Sequence, residues 1–274
     1  MNSKFAFFGT PEVAYETLEI LKRENFMPSL IVTAPDAKSG RGLEMHPSPV
    51  AVFAEENNIP CIKPEKLDEE FKTKLKEDSY EFFIVVAYGK IMPEDIIHMP
   101  KLGSINVHYS LLPKYRGASP VESTILHGNT ETGVTIQKME YKMDSGPIIA
   151  EEKIEIGPDE KAADLRKRLI KIGGELLVQT LPIFIEGKVI EKIQNEDTAT
   201  FCKKIKKEDG LIDLTDDSIK NYNKFRAYAT WPRTFLFNNG KRIIITEAEL
   251  SEGKFIIKKV IPEGGKEKDY KASI

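Results

Sequence analysis

Phe82-Phe83-Ile84-Val85-Val86-Ala87 is a continuous apolar run, entered from Glu81 and left through Tyr88-Gly89. A strand with no polar alternation needs cover on both faces, as strands in the middle of a parallel sheet have. Upstream, Phe5-Ala6-Phe7-Phe8 is a shorter apolar run that stops at Gly9. Thr10-Pro11-Glu12 follows with an N-cap residue, a proline at the first helical position and an acid in the first turn. Val13, Thr17, Leu18 and Leu21 then recur at helical spacing as far as Asn25. Leu30-Ile31-Val32-Thr33 reads as the next strand, Val50 to Glu56 as a helix and Cys61-Ile62 as a brief extended piece. Downstream, Val134 to Met139 and Ile148 to Ile154 add strands, and Leu165, Leu169, Ile172, Leu176 and Leu177 mark a long helix expected to end before Pro182. Such alternation predicts an α/β domain with a Rossmann-like open, mostly parallel sheet and right-handed crossovers.

Composition narrows the class. The 274 residues are 41% hydrophobic, enough for an ordinary core. No stretch approaches the roughly 20 apolar residues of a membrane span, and a first strand beginning near Lys4 leaves no room for a signal or transit peptide, so a cytoplasmic protein without membrane contact is expected. The cysteines, Cys61 and Cys202, are far apart and show no Cys-x-x-Cys spacing, which points to reduced thiols. The histidines His46, His98 and His127 have no metal-ligand spacing, and no metal is expected. Net charge is −3, but residues 201–274 hold 16 Lys and Arg against 11 Asp and Glu, a net of +5, leaving −8 for the rest. A basic C-terminal region of this kind, with Lys203, Lys204, Lys206 and Lys207 clustered, is compatible with a nucleic-acid-binding arm. A dinucleotide site is excluded at the first turn, which offers a single glycine where Gly-x-Gly-x-x-Gly is required.

The chemistry-bearing residues lie in Ser104-Ile105-Asn106-Val107-His108-Tyr109-Ser110-Leu111-Leu112-Pro113 and in Met143-Asp144-Ser145-Gly146-Pro147. Asn106 and His108, two apart on a strand, project from one face. A turn then brings Asp144 back. An amide N–H aimed at a carbonyl oxygen stabilises a tetrahedral oxyanion. An imidazole beside it can move a proton near neutral pH, and a carboxylate can fix that imidazole's tautomer. Neither cysteine is near a histidine in sequence and no serine is placed to attack, so the trio suits direct acyl transfer to an incoming amine.

These segments resemble the folate-dependent formyltransferases. The resemblance rests on Asn-x-His with Ser-Leu-Leu-Pro, on Tyr115-Arg116-Gly117-Ala118, and on Met-Asp-x-Gly-Pro. It extends to Phe8-Gly9-Thr10-Pro11-Glu12-Val13-Ala14, to Thr33-Ala34-Pro35-Asp36 through Pro47-Ser48-Pro49-Val50, and to Val85 through Pro93. It is dense from residue 5 to about 150 and continues more thinly to about 235. It implies the formyltransferase fold, Asn106, His108 and Asp144 as catalytic residues, and 10-formyltetrahydrofolate as formyl donor with tetrahydrofolate as product. It also implies a folate pocket built around Ala87, Tyr88, Gly89, Ile91 and Met92 and around Ser110, Leu111, Leu112 and Pro113, where apolar side chains sandwich a flat ring and backbone groups read its edge. The isomer of the Leu112–Pro113 peptide is left open by the sequence.

The matches are those of family members that formylate methionyl initiator tRNA. Ala34 to Pro49 is long for an α/β connection and carries Lys38, Gly40, Arg41 and Gly42, which suits a segment that orders against phosphate or a base edge. The resemblance places this loop, with Lys38 and Arg41, against the acceptor end of that tRNA. The expected organisation is a catalytic domain at 1–187, a linker at 188–205 and a small OB-like β-barrel for tRNA at 206–274, in a chain acting as a monomer. The barrel is shorter than is usual in the family: strands are expected only at Thr234–Phe237, Ile243–Thr246 and Lys254–Lys258, with turns at Asn238-Asn239-Gly240 and Ser251-Glu252-Gly253. Two other readings share the trio: a formyltransferase for a small amine such as a sugar nucleotide, and a formyltetrahydrofolate hydrolase.

Overall fold

A computed structural model describes residues 3–39 and 44–271. The chain divides into two compact units. The first comprises Met1–Lys114, Gly133–Glu152 and Leu169–Ala199, and the second Tyr115–Thr132, Lys153–Arg168 and Thr200–Ile274.

The first apolar run forms β1 (Phe5–Gly9), all five residues buried. Gly9 is required at its end, because a Cβ there would lie 2.6 Å from that of Ala14 and 2.7 Å from the Phe7 ring. α1 (Glu12–Arg23) then buries Ala14, Thr17, Leu18 and Leu21. Pro11 takes the cap position expected of Thr10. The Thr10 hydroxyl instead donates to the Tyr88 carbonyl (3.1 Å) and accepts from the Ala34 amide (3.3 Å), joining the carboxyl ends of three strands.

β2 (Leu30–Val32) leads into the segment expected to be a loop. There β3 (Ala37–Ser39) and β4 (Glu44–His46) pair as an antiparallel hairpin, with Lys38 opposite Met45. Arg41, Gly40 and Gly42 lie outside the described residues. α2 (Pro49–Glu56) is capped by the Ser48 hydroxyl, which accepts from the Ala51 amide at 3.0 Å. β5 (Cys61–Ile62), α3 (Glu69–Glu77), β6 (Phe82–Val86), α4 (Glu94–Ile97) and β7 (Ser104–His108) follow, and β8 (Arg116–Gly117) and α5 (Pro120–Leu126) precede β9 (Glu131–Lys138) and β10 (Ile148–Glu155).

The main sheet has seven strands in the order β10-β9-β7-β6-β1-β2-β5. β1, β2, β5, β6 and β7 pair in parallel, and β9 runs antiparallel to β7. One face carries Ala6, Phe8, Val32, Phe83 and Val85 with Phe71, Leu75, Tyr88, Met92, Ile96 and Ile97 packed against it. On the other face Phe82 meets Phe184 edge-on with ring centroids 5.5 Å apart.

Phe184 belongs to α6 (Ala162–Ile185), which runs through Pro182 and does not stop before it. The helix ends at Gly187 (φ 67°), whose amide bonds to Phe184 O at 2.9 Å while that of Lys188 bonds to Ile183 O at 3.0 Å. This paired closure satisfies the last carbonyls. Burial of Leu181 and Phe184 on either side of Pro182 outweighs the local cost of the missing N–H.

In the second unit β11 (Phe201–Cys202) pairs in parallel with β8, and α7 (Ser218–Ala227) is capped by Asp217. Four strands complete it: β12 (Phe235–Asn238), β13 (Lys241–Ser251), β14 (Lys254–Pro262) and β15 (Lys268–Asp269). They form an antiparallel sheet in that order. Asn239-Gly240 and Glu252-Gly253 turn the hairpins with positive φ at both residues, the combination that fits strand twist. The small barrel expected here is thus a four-stranded meander in which, among the described residues, β12 and β15 are not paired to each other. A two-residue last strand is too short to close the five-stranded OB arrangement. The core is Ile212, Tyr222, Phe225, Leu236, Ile245, Ile257 and Val260. Among the described residues no helix is long and apolar enough to cross a membrane.

Candidate active site

β7 lies between β6 and β9, and its register decides the site. Asn106 stands beside Val85 on β6 and opposite Gln137 on β9, and His108 stands opposite Thr135. Ile105 and Val107, with Ile136 opposite Val107, form the apolar face. α6 covers that face at Gly173, where a Cβ would come within 3.2 Å of both Val107 and Val134. Asn106, His108, Thr135 and Gln137 therefore share the other face, continuous with the cluster containing Val85, Tyr88 and Met92. His108 and Gln137 are buried, and Asn106 is half-buried.

After β9 the chain turns at Lys142–Ser145, where Ser145 Oγ donates to Lys142 O at 2.8 Å. Asp144 sits there in the left-handed region (φ 50°), a conformation that aspartate tolerates better than most residues. Its Oδ2 lies 3.7 Å from His108 Nδ1. Gly146 must lack a side chain, since a Cβ would lie 1.9 Å from the Lys138 carbonyl. The three residues singled out from the sequence are thus held on one face and its adjoining turn.

Two further residues were not legible in the sequence. Gln137 Nε2 donates to Asp144 Oδ1 at 3.0 Å. Gln194 Nε2 donates to the carbonyls of Asp144 (2.9 Å) and Gly146 (2.7 Å) and to Gln137 Oε1 (3.3 Å). Gln194 reaches the turn because Lys192 pairs with Ile148 through two 2.9 Å backbone bonds. Nothing local in Ile193-Gln194-Asn195 signals this role. A glutamine opposite a strand asparagine was the available hint for Gln137.

The residues expected around the folate fall into two groups. Ala87 (φ 46°), Gly89 (φ 81°) and Ile91 are exposed, whereas the Tyr88 and Met92 side chains are buried in the core. Burial pushes the Tyr88 phenol up to about 12. Ser110 and Leu112 are buried, and Leu111 and Pro113 are half-buried. The Leu112–Pro113 peptide is cis. Thr135 Oγ1 holds this loop by donating to Ser110 O (2.7 Å) and accepting from the Leu112 amide (3.1 Å). Lys38 is exposed on β3. Among the described residues no group of three His, Cys, Asp or Glu side chains could hold a metal ion.

An open α/β sheet with an amide and an imidazole on β7 and a carboxylate brought to them by the turn after β9 is built for acyl-group chemistry. The chain belongs to the formyl transferase family, whose sequence pattern matches residues 2–181; the pattern of the formyl transferase C-terminal domain matches residues 204–267. Among its relatives are methionyl-tRNA formyltransferases. That of Thermotoga maritima is 41% identical over 241 residues, covering 86% of this chain and 76% of the relative. That of Caldanaerobacter subterraneus subsp. tengcongensis is 39% identical over 251 residues, covering 91% and 81%. Among solved structures, a sugar 3N-formyl transferase crystallised with 5-N-formyl-THF has a TM-score of 0.71 at 19% identity, covering 100% of this chain and 99% of its own. The methionyl-tRNA formyltransferase from Clostridium thermocellum has a TM-score of 0.61 at 18% identity, covering 95% and 98%. At those identities the two structures share its fold.

Proposed function

We propose that this enzyme transfers the formyl group of 10-formyltetrahydrofolate to the α-amine of methionyl initiator tRNA. The observation that carries the reading is the approach of Asp144 to His108 on the strand that also presents Asn106. The amine lone pair attacks the formyl carbon, forming the new C–N bond and a tetrahedral oxyanion. Asn106 donates a hydrogen bond to that oxygen, a contact typically worth about 10²–10³ in rate. His108 takes the proton from the attacking amine and returns it to folate N10 as the C–N10 bond breaks, releasing tetrahydrofolate. Asp144 orients the imidazole and balances its transient charge.

The exposed edge at Ala87, Gly89 and Ile91, with the loop of Ser110, Leu111, Leu112 and Pro113, forms the folate pocket; Tyr88 and Met92 contribute main chain and support from below. Lys38, on β3, and Arg41 contact the tRNA acceptor end. The catalytic region is 1–187, with residues 188–205 leading to a tRNA-binding region at 206–274, and the matches to the two family patterns support this division. The enzyme works as a monomer in the cytoplasm. Relatives at 36–41% identity that are methionyl-tRNA formyltransferases favour this substrate over a sugar nucleotide or water.

The test offers purified protein 10-formyltetrahydrofolate with methionyl initiator tRNA, methionyl elongator tRNA or free methionine. Formylation of the initiator species is expected. Folate turnover with none of the three formylated would replace this reading with a small-amine transferase or a hydrolase.

A further inference from the structure

Asp144 can support His108 only if its carboxylate is held in one rotamer on a turn that is itself left-handed. Two buried amides meet that requirement. Gln137 is 1% exposed and Gln194 5% exposed. Gln194 lends both amide hydrogens to three oxygens, those of Asp144, Gly146 and Gln137. Because Gln137 Oε1 accepts from Gln194, the Gln137 NH2 faces the other way, toward Asp144 Oδ1 at 3.0 Å. The reversed amide would set oxygen against a carboxylate and nitrogen against nitrogen, so the network fixes the orientation.

We infer that Gln137 and Gln194 are positioning residues for the transfer reaction, a two-amide relay that locks the Asp144 carboxylate toward His108; this rests on the functional reading above. Gln194 sets the turn through two carbonyls and sets the flip of Gln137, which holds one carboxylate oxygen and leaves the other for His108 Nδ1. Both amides bond to the turn and to each other, with Asp144 standing between them and His108. Their effect must therefore pass through Asp144, and a merely structural effect would not.

Gln137→Met keeps the length and removes the donor. It should lower kcat about tenfold, since a hydrogen bond to a charged group is lost, with both KM values within about twofold of wild type. In an Asp144→Asn background, followed by single turnover, the same substitution should cost less than about twofold, because coupled residues are not additive. Gln194→Met should behave similarly, and thermal unfolding of each variant separates loss of fold from loss of positioning. Nitrogen-15 spectra of the His108 imidazole, recorded without substrate, should change between wild type and Gln137→Met in the direction seen for Asp144→Asn.

Unchanged kcat in folded Gln137→Met, an equal loss in both backgrounds, or a loss confined to KM would overturn the relay. If wild type formylates none of the acceptors while the imidazole spectra shift as stated, the functional reading fails and the relay stands. If wild type is active and the spectra do not move, the reverse holds.

Discussion

β1 and β6 differ from β7 and β9 within one sheet. The first pair is buried and apolar on both faces, with Phe7 beside Ile84 and Phe8 beside Val85. The second pair keeps an apolar face under α6 but gives its other face to Asn106, His108, Thr135 and Gln137. Burying those four polar side chains costs stability unless each is hydrogen-bonded. The sheet therefore holds its fold through one pair of strands and places its chemistry on the other.

Substitutions should separate the two pairs. Phe8 lies 5.0 Å from the Phe83 ring and 5.4 Å from that of Tyr88, so Phe8→Ala should lose about 3–5 kcal/mol of stability in denaturant melts. Asn106→Ala should do the opposite, leaving the melt close to wild type while kcat falls about 10²–10³-fold, roughly 3–4 kcal/mol of transition-state stabilisation. A variant of Asn106 with near-normal turnover would remove β7 from the chemistry. Thr135→Val sits between these cases. It deletes the two hydrogen bonds that hold Ser110 and Leu112, so about 1–3 kcal/mol should be lost in melts, with KM for folate rising more than kcat falls.

The smallest effect belongs to Tyr88→Phe. The Tyr88 hydroxyl is buried without a hydrogen-bond partner, so its removal relieves an uncompensated desolvation cost and should raise stability by about 1 kcal/mol at neutral pH. A further difference should open in strong base. Burial raises the Tyr88 phenol from 10.0 to about 12, so between those values the unfolded chain loses the proton first and stability falls as pH rises. Tyr88→Phe should lose less over that range, read as the difference between two urea midpoints.

What the sequence made legible follows the same division. Apolar runs and helical spacing located β1, β6 and α1, because burial on both faces leaves a composition that cannot be mistaken for a surface. The Asn106–His108 pair was legible because alternation on a strand fixes which residues share a face. α3 was not read, since only Phe71 and Leu75 of its nine residues are buried. The β3–β4 hairpin was missed because its strands are only three residues each, with Ala37, Lys38 and all of β4 exposed and no apolar alternation. Pro182 misled because its local preference was opposed by long-range packing of Leu181 and Phe184. Gln194 was invisible for a similar reason: it meets Gln137, 57 positions away, through a contact that no local pattern encodes.

The path of the chain after α6 bears on how its length can vary. A protein cut at Gly187 would keep every strand of the main sheet and the whole of α6, yet would lack the amide that grips the carbonyls of Asp144 and Gly146. The six residues between Gly187 and the end of the Lys192–Gln194 suture must span a fixed distance in fixed register. Insertions or deletions there would draw Gln194 off the turn, and just beyond it Glu196 adds an ion pair to Lys142 of the same turn. Gln194 is thus the stitch that ties the length of the chain after α6 to the geometry of the turn carrying Asp144.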